Sequence, residues 1–200
     1  MAAAPEHRRH CQEFVTQITD LCTRPAVRTV LKKGRGRPVE DCLGLTPHLS
    51  RLTRGHGARR AHYTVASLIA LTTPTVPGTA DPFDEETTSA RPPDAGEESY
   101  QTAVWRRRAD LGTTLATAIH HGSLNPGPTE DRLKILVRLG DDQLHRRLPT
   151  LVEHLAAAGT RPDWAVLLDD LALRAYAPGQ VGTRWLDNFY QRLDTVKDPA

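Results

Sequence analysis

The residues best suited to metal chemistry lie near the N-terminus of this 200-residue sequence. His7 and Cys11 are four positions apart, so on a helix their side chains would share one face and could bind one metal ion. His10 precedes Cys11 directly, and Cys22 follows eleven residues after it. A zinc site of this kind needs further ligands, and no matching second pair follows. The sequence therefore predicts no metal site and no cofactor.

Adjacent acidic residues are the other candidates for chemistry, and they occur as Glu85-Glu86, Asp141-Asp142 and Asp169-Asp170. Neighbouring helical positions do not face one another, so these pairs suit solvent or helix caps better than a two-metal centre. The sequence also lacks the phosphate-binding motif G-x-x-x-x-G-K-S/T, the nucleophile-elbow motif G-x-S-x-G and the zinc-protease motif H-E-x-x-H. These patterns predict a protein that is not an enzyme.

Basic residues are concentrated in two parts of the chain. Residues 1–73 contain 12 Lys and Arg against 5 Asp and Glu, and residues 104–140 contain 6 against 3. Residues 74–103 contain 1 against 7, and the net charge of the whole chain is only +2. Segregated basic charge favours a polyanionic partner, but a solvated surface produces the same pattern. Charge alone leaves both interpretations open.

The composition fits a globular protein, with 38% hydrophobic and 5% aromatic residues. A chain of this length can bury a substantial core. It contains no apolar run long enough for a transmembrane helix, and its N-terminus lacks the apolar segment of a signal peptide. Its three cysteines are an odd number at wide spacing. We therefore expect a reduced, cytoplasmic protein without membrane contact.

Apolar residues recur at helical spacing through most of the chain, and no alternating strand pattern interrupts them. The fold class is therefore predicted to be all-α. Residues 74–103 are rich in proline, hydroxyl and acidic residues and have little to bury, which predicts a disordered linker. We expect a helical bundle in two lobes with about eight to nine helices. Its expected parts are a basic helical lobe at 1–73, the acidic Pro-rich linker at 74–103 and a C-terminal helical bundle at 104–200.

Local signals set the expected helix boundaries in the C-terminal half. The spacing predicts one helix over 104–121. A short helix is expected to start at Asp141 or Asp142, and Pro149 suits the first turn of the next one. Thr160 and Asp163 match a T-x-x-D capping box.

The stretch 163–190 combines two helical patterns that meet at Pro178-Gly179. The first is an apolar stripe with the 3.6-residue period, and the second places two large aromatic residues four positions apart on one face. Large aromatic side chains bury much surface, so this stretch is expected to organise the core. The expected core anchors are Trp164, Leu168, Leu171, Trp185 and Phe189.

Four motifs follow one another in the C-terminal half: Leu111-Gly112-Thr113-Thr114-Leu115-Ala116, Arg132 with Leu136-Val137-Arg138, Asp163-Trp164 with Leu167 and Asp170-Leu171, and Trp185 with Phe189-Tyr190. No single motif is specific, but their order and spacing resemble the CasB family, the small subunit of the type I-E CRISPR surveillance complex Cascade. The N-terminal half resembles the family more loosely, through residues 25–31 and the Arg-rich start of the helix after Ala58.

The resemblance implies a non-catalytic, all-helical subunit that stabilises the R-loop. In the family, two copies lie head to tail along the complex and hold the target strand and the displaced non-target strand. The expected partners are therefore the Cascade backbone and large subunits, a second copy of the chain, target DNA and the displaced non-target strand, near the crRNA. Because base pairing supplies the sequence information, this subunit needs to recognise only backbone charge.

The resemblance also implies the residues that contact nucleic acid: Arg28, Arg59, Arg132 and Arg138, with Arg60 interchangeable with Arg59. Exposure and local charge add Lys32, Lys33, Arg146 and Arg147. The family carries basic positions within the helix at 151–155, where this chain has Glu153. Arg146 and Arg147 are the expected substitutes.

Arg132 and Arg138 are six residues apart, so about 240 degrees separates them on a straight helix. The two arginines are therefore not expected to contact the same phosphate. They could contact different strands, or one of them could bind a neighbouring subunit.

Two other function classes stay open. One is a helical protein-interaction scaffold without nucleic-acid contact, and the other is a small metal-dependent enzyme that binds its ion through His7, His10 or Cys11.

Overall fold

The computed structural model describes residues 4–73 and 97–197. These residues form ten α-helices, together with short 3-10 turns at Val39–Asp41 and Leu43–Leu45. The helices are α1 (Ala4–Cys22), α2 (Pro25–Lys32), α3 (Thr46–Leu49), α4 (Arg59–Thr72), α5 (Glu97–Arg107), α6 (Leu111–His120), α7 (Pro126–Arg138), α8 (Asp141–Ala157), α9 (Trp164–Arg174) and α10 (Pro178–Lys197).

The predicted all-α class is confirmed, since the described residues contain no β-strand. The ten helices of the described residues slightly exceed the eight to nine predicted, and two boundaries at the start of the C-terminal half differ from the prediction. Helix α5 begins at Glu97, so the predicted linker ends too late, and residues 74–96 of that linker lie outside the described residues. The predicted helix over 104–121 is two helices. The Asp110 carboxylate caps the second one by accepting a hydrogen bond from the backbone N–H of Thr113 at 2.9 Å.

Helix α8 corrects a second prediction, because Pro149 lies inside one continuous helix instead of opening a new one. Proline lacks a backbone N–H, so the His145 carbonyl loses its helical donor. Leu144, Leu148 and Val152 are fully buried along one side of this helix. Their burial offsets the lost hydrogen bond and keeps the two segments in line.

The N-cap of helix α9 lies three residues after Thr160, the N-cap of the predicted capping box. Asp163 is itself the N-cap, and its carboxylate accepts from the backbone N–H groups of Ala165 and Val166 at 3.1 and 3.2 Å. Thr160 is buried three residues before this cap. The prediction therefore chose the right motif but the wrong capping residue.

Buried apolar side chains form one cluster that extends from Cys11 in α1 to Phe189 in α10. Helices α1 and α4 both pack against α9, and α4 also packs against α8, so both described halves contribute to it. The division of the chain into two lobes stays a prediction. Within the described ranges, no helix is both long and apolar enough to cross a membrane.

The backbones of α6 and α10 approach each other closely at Gly112. Gly112 lies directly against the backbone carbonyl of Trp185, and a Cβ atom at position 112 would overlap that carbonyl. The side chains of Trp185, Phe189 and Leu168 are fully buried, and Leu171 is 1% exposed. Trp164 is half-buried and packs against the same cluster.

We expect Gly112→Ala to lower the free energy of unfolding by at least about 2 kcal/mol, because the new methyl group can be placed only by moving the backbone of α10. Gly179→Ala in α10 is the matched control, since nothing lies within 4 Å of a Cβ atom there and no proline directly follows it. That control should be neutral, or stabilising by up to about 1 kcal/mol through helix propensity. Equilibrium denaturation of both variants checks this, and equal stability would contradict the close packing.

Candidate nucleic-acid interface

The nine basic residues selected from the sequence fall into different environments. Four are exposed and make no hydrogen bond, ion pair or cation–π contact with any described residue. These four are Lys33, Arg132, Arg138 and Arg147. The others are partly or wholly engaged within the protein or are less exposed, as the following contacts show.

Arg132, Ile135 and Arg138 form an exposed strip along α7, here called the α7 strip. Ile135 lies three residues from each arginine, midway between them on the helix surface. Its side chain points away from the buried Leu133 and Leu136. Ile135 is 60% exposed. The two arginines are separated by about 9 Å along the helix axis and by about 120 degrees around it, so they do not converge on one phosphate.

Both ends of α7 are fixed to the rest of the protein. At its C-terminal end, the Arg174 guanidinium donates to the backbone carbonyls of Leu136, Val137 and Leu139 at 3.4, 2.9 and 2.8 Å. The Arg174 side chain is only 2% exposed and also lies over the ring of Trp185. The Leu136 carbonyl also accepts from the backbone N–H of Leu139 at 3.3 Å, whereas the Val137 and Leu139 carbonyls accept from no backbone N–H of the described residues. Arg174 therefore satisfies carbonyls at the end of α7 and helps to fix the direction of that helix.

At its other end, α7 is fixed to α10. The carboxylate of Glu130 accepts a hydrogen bond from the Tyr190 hydroxyl at 2.8 Å, and the same oxygen accepts one from Lys134 at 2.5 Å. The Lys134 charge is therefore compensated locally. The α7 strip is thus a rigid, uncompensated pair of cations on a helix held at both ends.

Arg60 and Arg146 are joined by one acid, and these residues are here called the α4–α8 clamp. The Asp142 carboxylate accepts from Arg60 at 2.6 Å through one oxygen and from Arg146 at 3.0 Å through the other. Arg60 is the second residue of α4, and the other two lie in the first two turns of α8. The clamp connects the two helices, so these arginines are already occupied within the protein.

The loop after α2, residues 34–38, contains two glycines and two arginines and lies along α8. Arg35 pairs with Glu153 at 2.5 Å, and Gly36, with φ of 64°, lies so close that a Cβ atom would be 3.2 Å from the Arg146 Cα atom. This contact explains why the chain has an acid at position 153. Glu153 holds the loop, and the neighbouring Arg37 stays exposed with no partner in the described ranges.

The N-terminal basic residues differ in their availability. Arg28 is half-buried and donates to the backbone carbonyl of Thr73 at 3.4 Å, which links α2 to the end of α4. Arg59 is exposed and lies 5.9 Å above the ring of Tyr63. Lys32 is half-buried, whereas Lys33 at the end of α2 is exposed. Only Lys33 and Arg59 of this group present most of their side chain to solvent.

Sequence reasoning missed several exposed cations. Arg106 and Arg107 end α5 without a partner among the described residues, whereas Arg108 is held by the Asp163 carboxylate at 2.6 and 2.7 Å. Other exposed cations line a pocket of 280 Å³ beside α1, and they are Arg51 and Arg54. The runs of Arg in the sequence were the available signal, but only the ion pairs reveal which members are free.

His145 lies directly beneath the α4–α8 clamp. It is 1% exposed, and its ring is hydrogen-bonded to the Thr64 hydroxyl at 2.7 Å and lies 3.4 Å from the Asp141 carboxylate. Burial lowers the pKa of His145 to about 4, although Asp141 acts in the opposite direction and Arg60 in the same one. The ring is therefore neutral at physiological pH.

Comparison with known proteins agrees with the fold and assigns the family. The sequence profile described as CRISPR-associated protein Cse2 matches residues 27–190, which is most of the chain. The chain therefore belongs to the CRISPR-associated Cse2 family, and the predicted relationship to the CasB small subunit is confirmed. No curated protein sequence matches it significantly.

Solved structures give the same result. The chain is similar to a chain of a "CRISPR RNA-guided surveillance complex", with 27% identity, a TM-score of 0.73 and coverage of 96% of this chain and 97% of that one. A chain of a "CRISPR RNA-guided surveillance complex, pre-nicking" matches with 26% identity, a TM-score of 0.74 and coverage of 95% and 97%. The crystal structure of M. ruber CasB shares the fold, with 22% identity, a TM-score of 0.64 and coverage of 94% and 96%.

We expect protonation of His145 to destabilise the fold under mildly acidic conditions. Its pKa is lower in the folded protein than the ordinary value of 6.5, so the unfolded chain binds the proton first as the pH falls. The contribution of His145 to stability is therefore complete above about pH 6.5 and is lost between there and about pH 4, by up to roughly 3 kcal/mol.

Denaturation of the wild type and His145→Gln across this pH range measures the effect. The variant should show a shallower decline in the free energy of unfolding toward low pH. His154→Gln, an exposed change on the same helix, is the matched control and should follow the wild type. Parallel pH profiles for all three proteins would refute the prediction.

Proposed function

We propose that this chain is the non-catalytic small subunit of a type I-E CRISPR Cascade complex. In this role it holds the target strand and the displaced non-target strand of the R-loop through exposed cations. Membership of the Cse2 family and the similarity to chains of two surveillance complexes support a place in such an assembly. Its partners would be the backbone and large subunits and a second copy of the chain.

The observation that carries the DNA-binding part of the proposal is the α7 strip. Arg132 and Arg138 are exposed, have no counter-charge among the described residues and stand on a helix fixed by Arg174 and Glu130. An ion-paired arginine must first leave its acid before it can bind a phosphate, whereas these two need only displace water and counterions. Fixed, uncompensated cations are therefore the most favourable contacts to a polyanion.

The aromatic residues favour recognition of the backbone over stacking on bases. Trp185 is fully buried, Trp105 is 9% exposed, and Trp164 is half-buried against the core. A base-stacking surface presents aromatic faces to solvent between its cations. The described tryptophans do not do so, which is consistent with a subunit that reads charge and leaves sequence recognition to the guide RNA.

The contacts divide the predicted site residues by expected importance. Residues that are exposed and unpaired should contribute most, and these are Lys33, Arg132, Arg138 and Arg147. Residues with smaller exposure or a weak internal contact come next, and these are Lys32 and Arg59. Residues that hold helices together should act mainly on stability, and these are Arg28, Arg60 and Arg146.

We expect the double variant Arg132→Ala/Arg138→Ala to bind DNA more weakly and with a smaller salt dependence. Each lost phosphate contact removes about 0.9 from the slope of log K against log salt, so the double variant should lose about two units. Binding of the purified chain to DNA of unrelated sequences, measured across a salt series, gives the slope. The loss should be equal for all sequences.

The matched control is Arg60→Ala/Arg146→Ala, which removes the same formal charge from the α4–α8 clamp. This control should keep most of the salt slope and lose no more than about 1 kcal/mol of stability for each broken ion pair. An unchanged slope in the α7 variant, or a changed preference among sequences, would contradict the proposal. If the isolated chain does not bind at low salt, the lifetime of the R-loop in reconstituted complexes replaces the binding constant as the measurement.

Ile135 favours a second candidate function, a helical scaffold that contacts protein alone. A 60% exposed isoleucine between two arginines also suits the rim of a protein interface. A pull-down with the backbone subunits separates the two functions. Ile135→Asp should abolish assembly if the α7 strip binds protein, whereas the arginine variant should assemble normally and destabilise only the R-loop if the strip binds DNA.

A further inference from the structure

Three potential metal ligands from distant parts of the sequence meet between α1 and α9. His7 and Cys11 lie one turn apart on α1, and Asp169 belongs to α9. The His7 Nε2 atom is 3.7 Å from the Cys11 Sγ atom and 3.4 Å from an Asp169 carboxylate oxygen. All three potential ligand atoms lie within 4.8 Å of one another. The sequence alone offered only the first two.

These distances agree with a tetrahedral zinc site. Zinc binds histidine nitrogen at about 2.0–2.1 Å, thiolate sulfur at about 2.3 Å and carboxylate oxygen at about 2.0–2.2 Å, so tetrahedral ligands should be about 3.5 Å apart for N and S and about 3.3 Å apart for N and O. The observed separations of 3.7 and 3.4 Å are close to these values. The third pair, Cys11 Sγ and the Asp169 oxygen, lies within 4.8 Å, so it must close by no more than about 1 Å to reach the tetrahedral spacing of about 3.6 Å.

The surroundings orient the ligands. The second carboxylate oxygen of Asp169 accepts a hydrogen bond from Trp105 Nε1 at 3.1 Å, which leaves the first oxygen directed at His7. A ligand carboxylate in metal sites is commonly held by such an outer hydrogen bond. Cys11 is fully buried, whereas 26% of the His7 side chain is exposed. This opening provides a route for an ion and a position for a water molecule as fourth ligand.

We propose that His7, Cys11 and Asp169 bind one Zn²⁺ ion, which connects α1 to α9. Nitrogen, sulfur and carboxylate oxygen together suit zinc, whereas magnesium and calcium prefer oxygen alone. On binding, the Cys11 thiol releases its proton to solvent and its sulfur bonds to the ion. His7 and Cys11 precede the family-matched residues 27–190, whereas Asp169 lies within them. The proposal depends on the geometry of these three residues and not on the proposed role in Cascade.

Titration of the chelator-treated full chain with Co²⁺ tests the site, because cobalt replaces zinc and its thiolate complexes absorb strongly. We expect one ion per chain, displacement by Zn²⁺ and a higher melting temperature with Zn²⁺ than with chelator. His7→Gln, Cys11→Ala and Asp169→Asn should each weaken binding at least about tenfold. Cys22→Ala removes another buried cysteine from α1 and should bind like the wild type.

His7→Gln is the decisive variant if the buried changes impair folding, since the His7 side chain is partly exposed and its loss should leave the fold intact. Absence of stoichiometric binding by the wild type would overturn the proposal. So would wild-type affinity in the folded His7→Gln protein, or an equal loss of binding in Cys22→Ala. In those cases the three residues form only a hydrogen-bonded contact between two helices.

Discussion

The packing of α9 against α10 depends on the hydrogen bonds that the buried Asp170 carboxylate accepts. It is 1% exposed and accepts hydrogen bonds from Trp185 Nε1 at 2.6 Å and from the Arg184 guanidinium. Burial raises the pKa of Asp170 to about 7, whereas both donors favour the ionised form. A buried carboxylate without partners would cost several kcal/mol, so α10 must present both donors to α9. This position of Trp185 also requires glycine at position 112.

Other polar side chains of α9 hold further helices in the same way. Asp163 caps α9 and binds Arg108 after α5, Asp169 accepts from Trp105 within α5, and Arg174 donates to the carbonyls at the end of α7. Arg174 is buried and needs such partners, and the partly buried Asp163 and Asp169 add one contact each, so these side chains help to fix the positions of neighbouring helices. The orientation of the α7 strip therefore depends on Arg174, a buried residue that binds the backbone on both sides of Arg138.

Formal charge in the sequence overstates the charge that a partner can use. The N-terminal half has the larger excess of basic residues, yet Arg35 and Arg60 are paired with acids of α8. The α7 strip, from a region with a smaller excess, has no such compensation among the described residues. Ion pairs at partly exposed positions contribute little to stability, but they decide which cations are available. The proposed role of the α7 strip therefore depends on this lack of compensation and not on the local excess of basic residues.

The sequence by itself determined the all-α class, because apolar periodicity is a local property. It also determined the family, because the order of the motifs is read directly from the chain. Those motifs lie around Gly112, Arg138, Trp164 and Trp185. The sequence also contained the signals for most helices. Only the tertiary structure decided that Pro149 stays inside one helix, that Glu153 pairs with Arg35 and that Asp169 meets His7 and Cys11. Each of these depends on residues distant in sequence, whose burial and pairing outweigh local propensity. Spacing along a chain cannot reveal such contacts, because packing of the whole fold sets them.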